Sequence, residues 1–234
     1  MINKDLLSKF SHFYSDIKKS FNKIYKNSNF YDKKISKVFD NDLKYKPSPF
    51  LLSSIINYQK KKYKIEDFAI TSIWKKDVDI KDFKKLNNFF WFFSLDLKSS
   101  KKTTQSILSS WIDNNNKYNK KSWDIDLTSK RIISWLSNHR LTYEDSEEEY
   151  RQKFNHIIQK QTNHLINEIK NSEEVQNKII SCSAIILSGL AYQNNKNYLS
   201  AGLNLLKNII KSSIDNYGFP KSRNIKQLIL YLKY

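Results

Sequence analysis

Turn formers and disulfide partners are nearly absent from this 234-residue chain. Three Gly and three Pro are too few for the many tight turns of a multi-stranded sheet protein, so long helices joined by short polar loops are expected. Cys182 is the single cysteine, which excludes an internal disulfide. Its place in an apolar run reads as a small buried hydrophobe rather than a nucleophile. No stretch is long and apolar enough to span a bilayer. The first thirty residues alternate Lys with aromatics and hold no unbroken apolar segment of the secretory type, so a cytoplasmic chain is expected. Gly-rich phosphate loops, paired-cysteine sites and His-Glu zinc motifs are all missing, and neither a cofactor nor a metal is expected.

Acidic residues are also in deficit, with 23 Asp and Glu against 41 Lys and Arg and a formal net charge of +18. Such an excess concentrates polyanions, whether nucleic acid, acidic glycan or anionic lipid. The chain is equally saturated with Lys, Asn, Ile and Ser, as A/T-rich coding produces, and coding bias is the weightier explanation. The basic residues are spread along the chain rather than gathered in one stripe, which argues against nucleic acid.

What is present is helical periodicity. Leu7, Phe10, Phe13, Tyr14, Ile17, Phe21 and Ile24 recur at three- and four-residue spacing between lysines, which predicts an amphipathic helix over 4–26. It could lie on a membrane surface, but docking on the rest of the domain is the preferred expectation. The stretch 27–49 is polar and ends in Pro47-Ser48-Pro49, a breaker. Residues 1–46 are therefore read as a helix plus linker, and 47–234 as the main domain.

Within that domain, 50–58 reads as a short helix, and 64–80, containing Trp74, is ambiguous. The aromatic-dense 82–97 must be largely buried. Helices are predicted over 103–114, 126–138, 147–170, 173–192 and 197–214. The run Glu147-Glu148-Glu149 is a helix start that suits the dipole rather than a catalytic pair. The segment 184–191 is apolar nearly all round, which marks an inner helix. A turn at 215–220 leads into a last helix that stops at Tyr234 inside an apolar run without a cap, which predicts continuation beyond it. Alternating inner and outer helices predict an all-α fold, an incomplete (α/α) toroid built of helical hairpins.

Three stretches resemble the helical N-terminal domain of heparinase II/III-like proteins, especially the alphaproteobacterial type. They are SWDIDLTSKRIISWLS (122–137), AIILSGLAY (184–192) and DNYGFPKSRNIKQLI (215–229). Their order and separations carry the resemblance, which covers 47–234. It implies a toroid followed by a C-terminal β-sandwich domain, and a polysaccharide lyase acting on uronate-containing acidic glycans by β-elimination. It also leaves a periplasmic location open. Lyases of the family use an Asn-His pair at the start of the Gly-Leu-ended helix and a Tyr shortly after the Asp-Gly turn. In this chain those positions fall on Gln176-Asn177 and near Gln227, which hydrogen-bond but shuttle no proton at neutral pH.

No catalytic residue is therefore assigned. The substrate-binding candidates are Arg131, Gln176, Asn177, Arg223, Asn224 and Trp123. Arginine offers a bidentate fork to a carboxylate or sulfate, and tryptophan covers the apolar face of a sugar ring. The competing reading keeps Trp135 on the core face and has Arg131 tethering a loop carbonyl. Asn138-His139 and Asn163-His164 are genuine Asn-His pairs that lie too early for the family position, and solvent-facing helix residues are the simpler explanation. Tyr192 and Tyr217 are possible stand-ins for the missing Tyr. A non-catalytic acidic-glycan binder and a basic nucleic-acid binder remain as alternatives.

Overall fold

A computed structural model describes residues 4–39, 42–47 and 79–234. Among them are ten α-helices, two short 3-10 turns and no strand. The helices are α1 (Lys4–Lys26), α2 (Asn29–Ile35), α3 (Ile80–Asn87), α4 (Lys101–Asn115), α5 (Ile125–Ser137), α6 (His139–Thr142), α7 (Glu148–Glu168), α8 (Val175–Ala191), α9 (Lys196–Ser213) and α10 (Ile225–Lys233). The expectations for 50–58, for Trp74 and for the Ser48-Pro49 break fall outside the described residues.

Short polar side chains start the helices. Ser28, Asp79, Ser100, Asp124, Asn195 and Asn224 each accept a hydrogen bond from a backbone N–H in the first turn of the helix that follows. Those N–H groups have no intrahelical acceptor, so each cap contributes about 1 kcal/mol. The helix α7 lacks a side-chain cap and opens with Glu148 and Glu149, which complement the positive end of its dipole.

The inner position predicted for 184–191 is occupied by α8, which packs on α5, α7 and α9. Two glycines set its approach to α9. A Cβ on Gly189 would stand 2.5 Å from the Leu199 nitrogen, and one on Gly202 would stand 2.5 Å from Ile186 Cγ1. Contacts between 189 and 199 and between 186 and 202 run in opposite chain directions, so α8 and α9 form a hairpin. The pairs Thr162–Ser188 and Asn155–Tyr192 make a second hairpin of α7 with α8.

The core is aromatic. Phe89, Trp111 and Trp135 meet edge to face with centroids 5.1 to 5.9 Å apart, and Phe154 stacks on Trp135 at 5.8 Å. The expected burial of 82–97 holds for Phe89, Phe92, Phe93 and Leu95, whereas Asn87 is the one buried residue of α3; the segment divides into α3 and a 3-10 turn at Phe90–Ser94. Phe89 between them adopts φ 58° and is fully buried.

Two expectations for the N-terminal region are corrected. The polar stretch after residue 27 contains α2, whose Tyr31 and Ile35, together with Leu43, enter the same core as Trp111 and Trp135. The linker reading failed because Tyr31 and Ile35 stand among Asp, Lys and Ser, and a partner that holds Tyr31 in the core, His164, lies far along the chain. The helix α1 does form, but its apolar side is not docked on the domain: Phe13, Phe21 and Ile24 remain 65 to 69% exposed.

Candidate functional site

Arg131 and Trp123, expected at a carbohydrate surface, are interior residues. The Arg131 guanidinium donates to Asn87 O (2.9 Å), Ser122 O (3.1 Å), Gln161 Oε1 (3.1 Å) and Thr128 Oγ1 (3.2 Å). It also lies 4.1 Å from the centre of the Trp111 ring. Burial pushes its pKa down to about 9, which leaves it a cation at neutral pH. Trp111 Nε1 and Ser134 Oγ bind Asn87 Oδ1 and Phe89 O, so the chain between α3 and the 3-10 turn is clamped onto α4 and α5. The fork that would suit a uronate is thus consumed by two backbone carbonyls. Trp123 donates through Nε1 to Asn115 O at 3.0 Å, and no ring face is left for a sugar.

Both Asn-His pairs are also structural rather than solvent-facing. His164 is buried, with Nε2 3.1 Å from Trp123 O and Nδ1 2.7 Å from the Tyr31 hydroxyl. A carbonyl only accepts, so Nε2 carries the proton and Nδ1 accepts from the tyrosine. Burial depresses the histidine to about 3. Asn163 donates to Ile35 O and Lys37 O, holding the segment after α2 on α7. His139 is buried beside Glu144, with Nε2 to Oε1 at 3.2 Å, and desolvation lowers its pKa. Tyr192 is buried with its hydroxyl on Asn155 Oδ1. Cys182 is buried, and desolvation raises its thiol to about 11, as expected of an inert core residue.

The remaining candidates lie in two segments. Gln176 and Asn177 stand in the first turn of α8, where Asn177 donates to Glu174 Oε2 at 2.9 Å. Arg223 and Asn224 close the turn between α9 and α10. There the Asp215 carboxylate accepts from Tyr217 N (3.0 Å) and Phe219 N (2.9 Å) and pairs with the Arg223 guanidinium at 2.8 Å. The backbone N–H bonds, aided by Arg223, hold Asp215 below the usual carboxylate range. Arg223 sits at φ 53°, 5.8 Å from the centre of the Phe219 ring, with its side chain 65% exposed. Asn224 spends its carbonyl oxygen on the N-terminus of α10. Gln227 accepts from Ser222 Oγ and donates to Tyr231 OH.

Two clefts stand out among the described residues. One, of about 390 Å³, lies where α8, α9 and α10 meet and is lined by apolar residues including Ile179, Ile186, Leu206 and Tyr234. The other, of about 710 Å³, is polar and contains Asp32, Asp113, His156 and Lys160. Sequence reasoning missed the second, although a lysine one turn after buried Ile157 was a signal. Lys160 is buried and held by Asp32 Oδ1 and Asn116 O, each at 2.7 Å, so its charge is already spent on structure. Among the described residues no group of His, Cys, Asp or Glu is placed to hold a metal, and no helix is long and apolar enough to cross a membrane. No family model matches the chain, and neither the curated proteins nor the solved structures searched contain a match.

Proposed function

We propose that this chain is the helical domain of a heparinase II/III-like protein and that it holds an acidic glycan through the turn between α9 and α10. The observation that carries this reading is Arg223, an exposed guanidinium fixed by Asp215 beside exposed Phe219 and Tyr217. A preset cation next to aromatic faces suits a pyranose ring bearing a carboxylate or sulfate. It lies in the third of the stretches on which the family resemblance rests.

In this reading the chain supplies binding, while the β-elimination associated with the family lacks its expected proton shuttles. Gln176, Asn177 and Gln227 can hydrogen-bond a carboxylate but cannot abstract a proton at neutral pH. Loss of a positioned acid or base costs about 10²–10⁴-fold in rate. The lyase reading retains one exposed phenol in the same turn, Tyr217.

The test is titration of the protein with uronate and sulfated polysaccharides, with a neutral glucan and duplex DNA as controls, while absorbance of unsaturated uronate is followed. Acidic glycans should bind without an absorbance rise, and Arg223→Gly should weaken binding at least about tenfold. That variant suits the positive φ and loses a half-exposed ion pair and the contact with the Phe219 ring, while Asp215 keeps its two backbone N–H partners, so stability should stay within about 1 kcal/mol. Equal binding by wild type and variant, or equal preference for DNA, would sink the glycan turn. A rising absorbance would instead establish elimination and make Tyr217 the next residue to replace.

A further inference from the structure

The helix α1 is oriented opposite to what burial alone would choose. With 3.6 residues per turn, Phe13, Tyr14, Ile17, Phe21, Ile24 and Tyr25 fall within about a third of its circumference, and all six are exposed. The polar side of its last turns, with Ser20, Asn22, Lys23 and Lys26, instead borders the groove containing Tyr118 and Lys120. Lys26 pairs with Glu168 and Tyr25 meets Tyr31 edge-on at 5.2 Å, so the C-terminal end of the helix is anchored to the core. The apolar strip then continues onto α2, where exposed Phe30 lies 6.2 Å from Tyr25.

Lysines accompany the strip. Lys18 flanks it on α1, and exposed Lys33 and Lys34 follow Phe30 by three and four residues on α2, on the same helix face. Aromatic and aliphatic side chains bordered by lysines match the boundary between acyl chains and anionic headgroups. Rings enter the apolar layer while ammonium groups reach outward to phosphate. A neutral protein surface would satisfy the rings but not the flanking charge, and the chain as a whole carries +18.

We propose that α1 and the start of α2 form an interfacial anchor that seats this protein on an anionic lipid surface. The rings supply the apolar contribution and Lys18, Lys33 and Lys34 the electrostatic one. The helix lies in the plane of the interface and does not cross it.

The test is co-sedimentation of the full chain with vesicles of equal parts phosphatidylcholine and phosphatidylglycerol, against phosphatidylcholine alone. Binding is expected only to the anionic vesicles, and it should collapse toward 1 M salt, where screening shortens to about 3 Å. F13S/F21S should weaken it at least about tenfold. The triple variant K18E/K33E/K34E should do the same, since each lysine near such a surface contributes about fivefold. These side chains are exposed, so thermal midpoints should not move, and Arg223→Gly should leave vesicle binding unchanged. Failure to sediment, or equal binding to neutral vesicles, would overturn the proposal. So would sedimentation velocity showing a dimer that dissociates in F13S/F21S while vesicles neither bind nor compete, because the strip would then be a contact between copies.

Discussion

Replacing Arg131 with alanine should be among the most damaging single changes in this protein. The residue is fully buried, and its guanidinium supplies partners to two backbone carbonyls, a glutamine oxygen and a threonine oxygen while stacking on Trp111. Each acceptor stranded without a partner in a closed interior costs about 1–3 kcal/mol. The lost cation–π contact adds about 2 kcal/mol when desolvated, and removal of the side chain leaves a cavity. Against this stands relief of the cost of burying a charge that pairs with no carboxylate among the described residues, several kcal/mol per ion. The net loss should be about 3–5 kcal/mol. For a chain of this size that lowers the thermal midpoint by roughly 10 °C. Urea titration followed by circular dichroism reads the free energy, and calorimetry reads the midpoint. Arg131→Lys should recover only part of the loss, because an ammonium cannot span acceptors arranged around a planar fork. An alanine variant within about 1 kcal/mol of wild type would refute the clamp. If such a variant also lost affinity for acidic glycans, Arg131 would return to the binding surface.

Other interior groups make separate predictions. His164 is neutral in the folded state with its pKa lowered from 6.5 to about 3, so below 6.5 the unfolded chain binds a proton that the folded chain does not. Its contribution is complete above that pH and is lost as pH falls, at about 1.4 kcal/mol per pH unit. Urea midpoints measured between about pH 7 and 5 should fall with pH, and His164→Gln should flatten that slope; an unchanged slope would contradict the assignment. Gly189→Ala should destabilise by about 1–3 kcal/mol, because the new methyl would meet Leu199 backbone rather than a movable side chain. Gly202→Ala, whose nearest neighbour is the side-chain atom Ile186 Cγ1, should cost less in the same urea assay. Cys182 should resist a thiol reagent in the native protein and react at once in denaturant; rapid native labelling would contradict its burial.

The sequence by itself determined the long helices from residue 101 onward, though not the four-residue α6. Their three- and four-residue apolar spacing and polar caps are local properties, and observed ends differ from expected ones by a residue or two. It also marked α8 as the inner helix, because a helix apolar nearly all round has no side to offer to water. The turn at 215–220 was legible for the same reason, since Asp215 bonds the backbone only two and four residues on.

Only the tertiary structure decided which polar residues are inside. Arg131 and His164 look like surface side chains one at a time. Their burial depends on hydrogen-bond partners as far as 44 and 133 residues away in sequence, and no local pattern encodes such a meeting. The same holds for α2, where Tyr31 is buried because His164 receives its hydroxyl, and for α1. Its periodicity specified an amphipathic helix but not the direction its apolar side would face. That direction follows from where Lys26 and Tyr25 find partners, Glu168 and Tyr31, on the folded core.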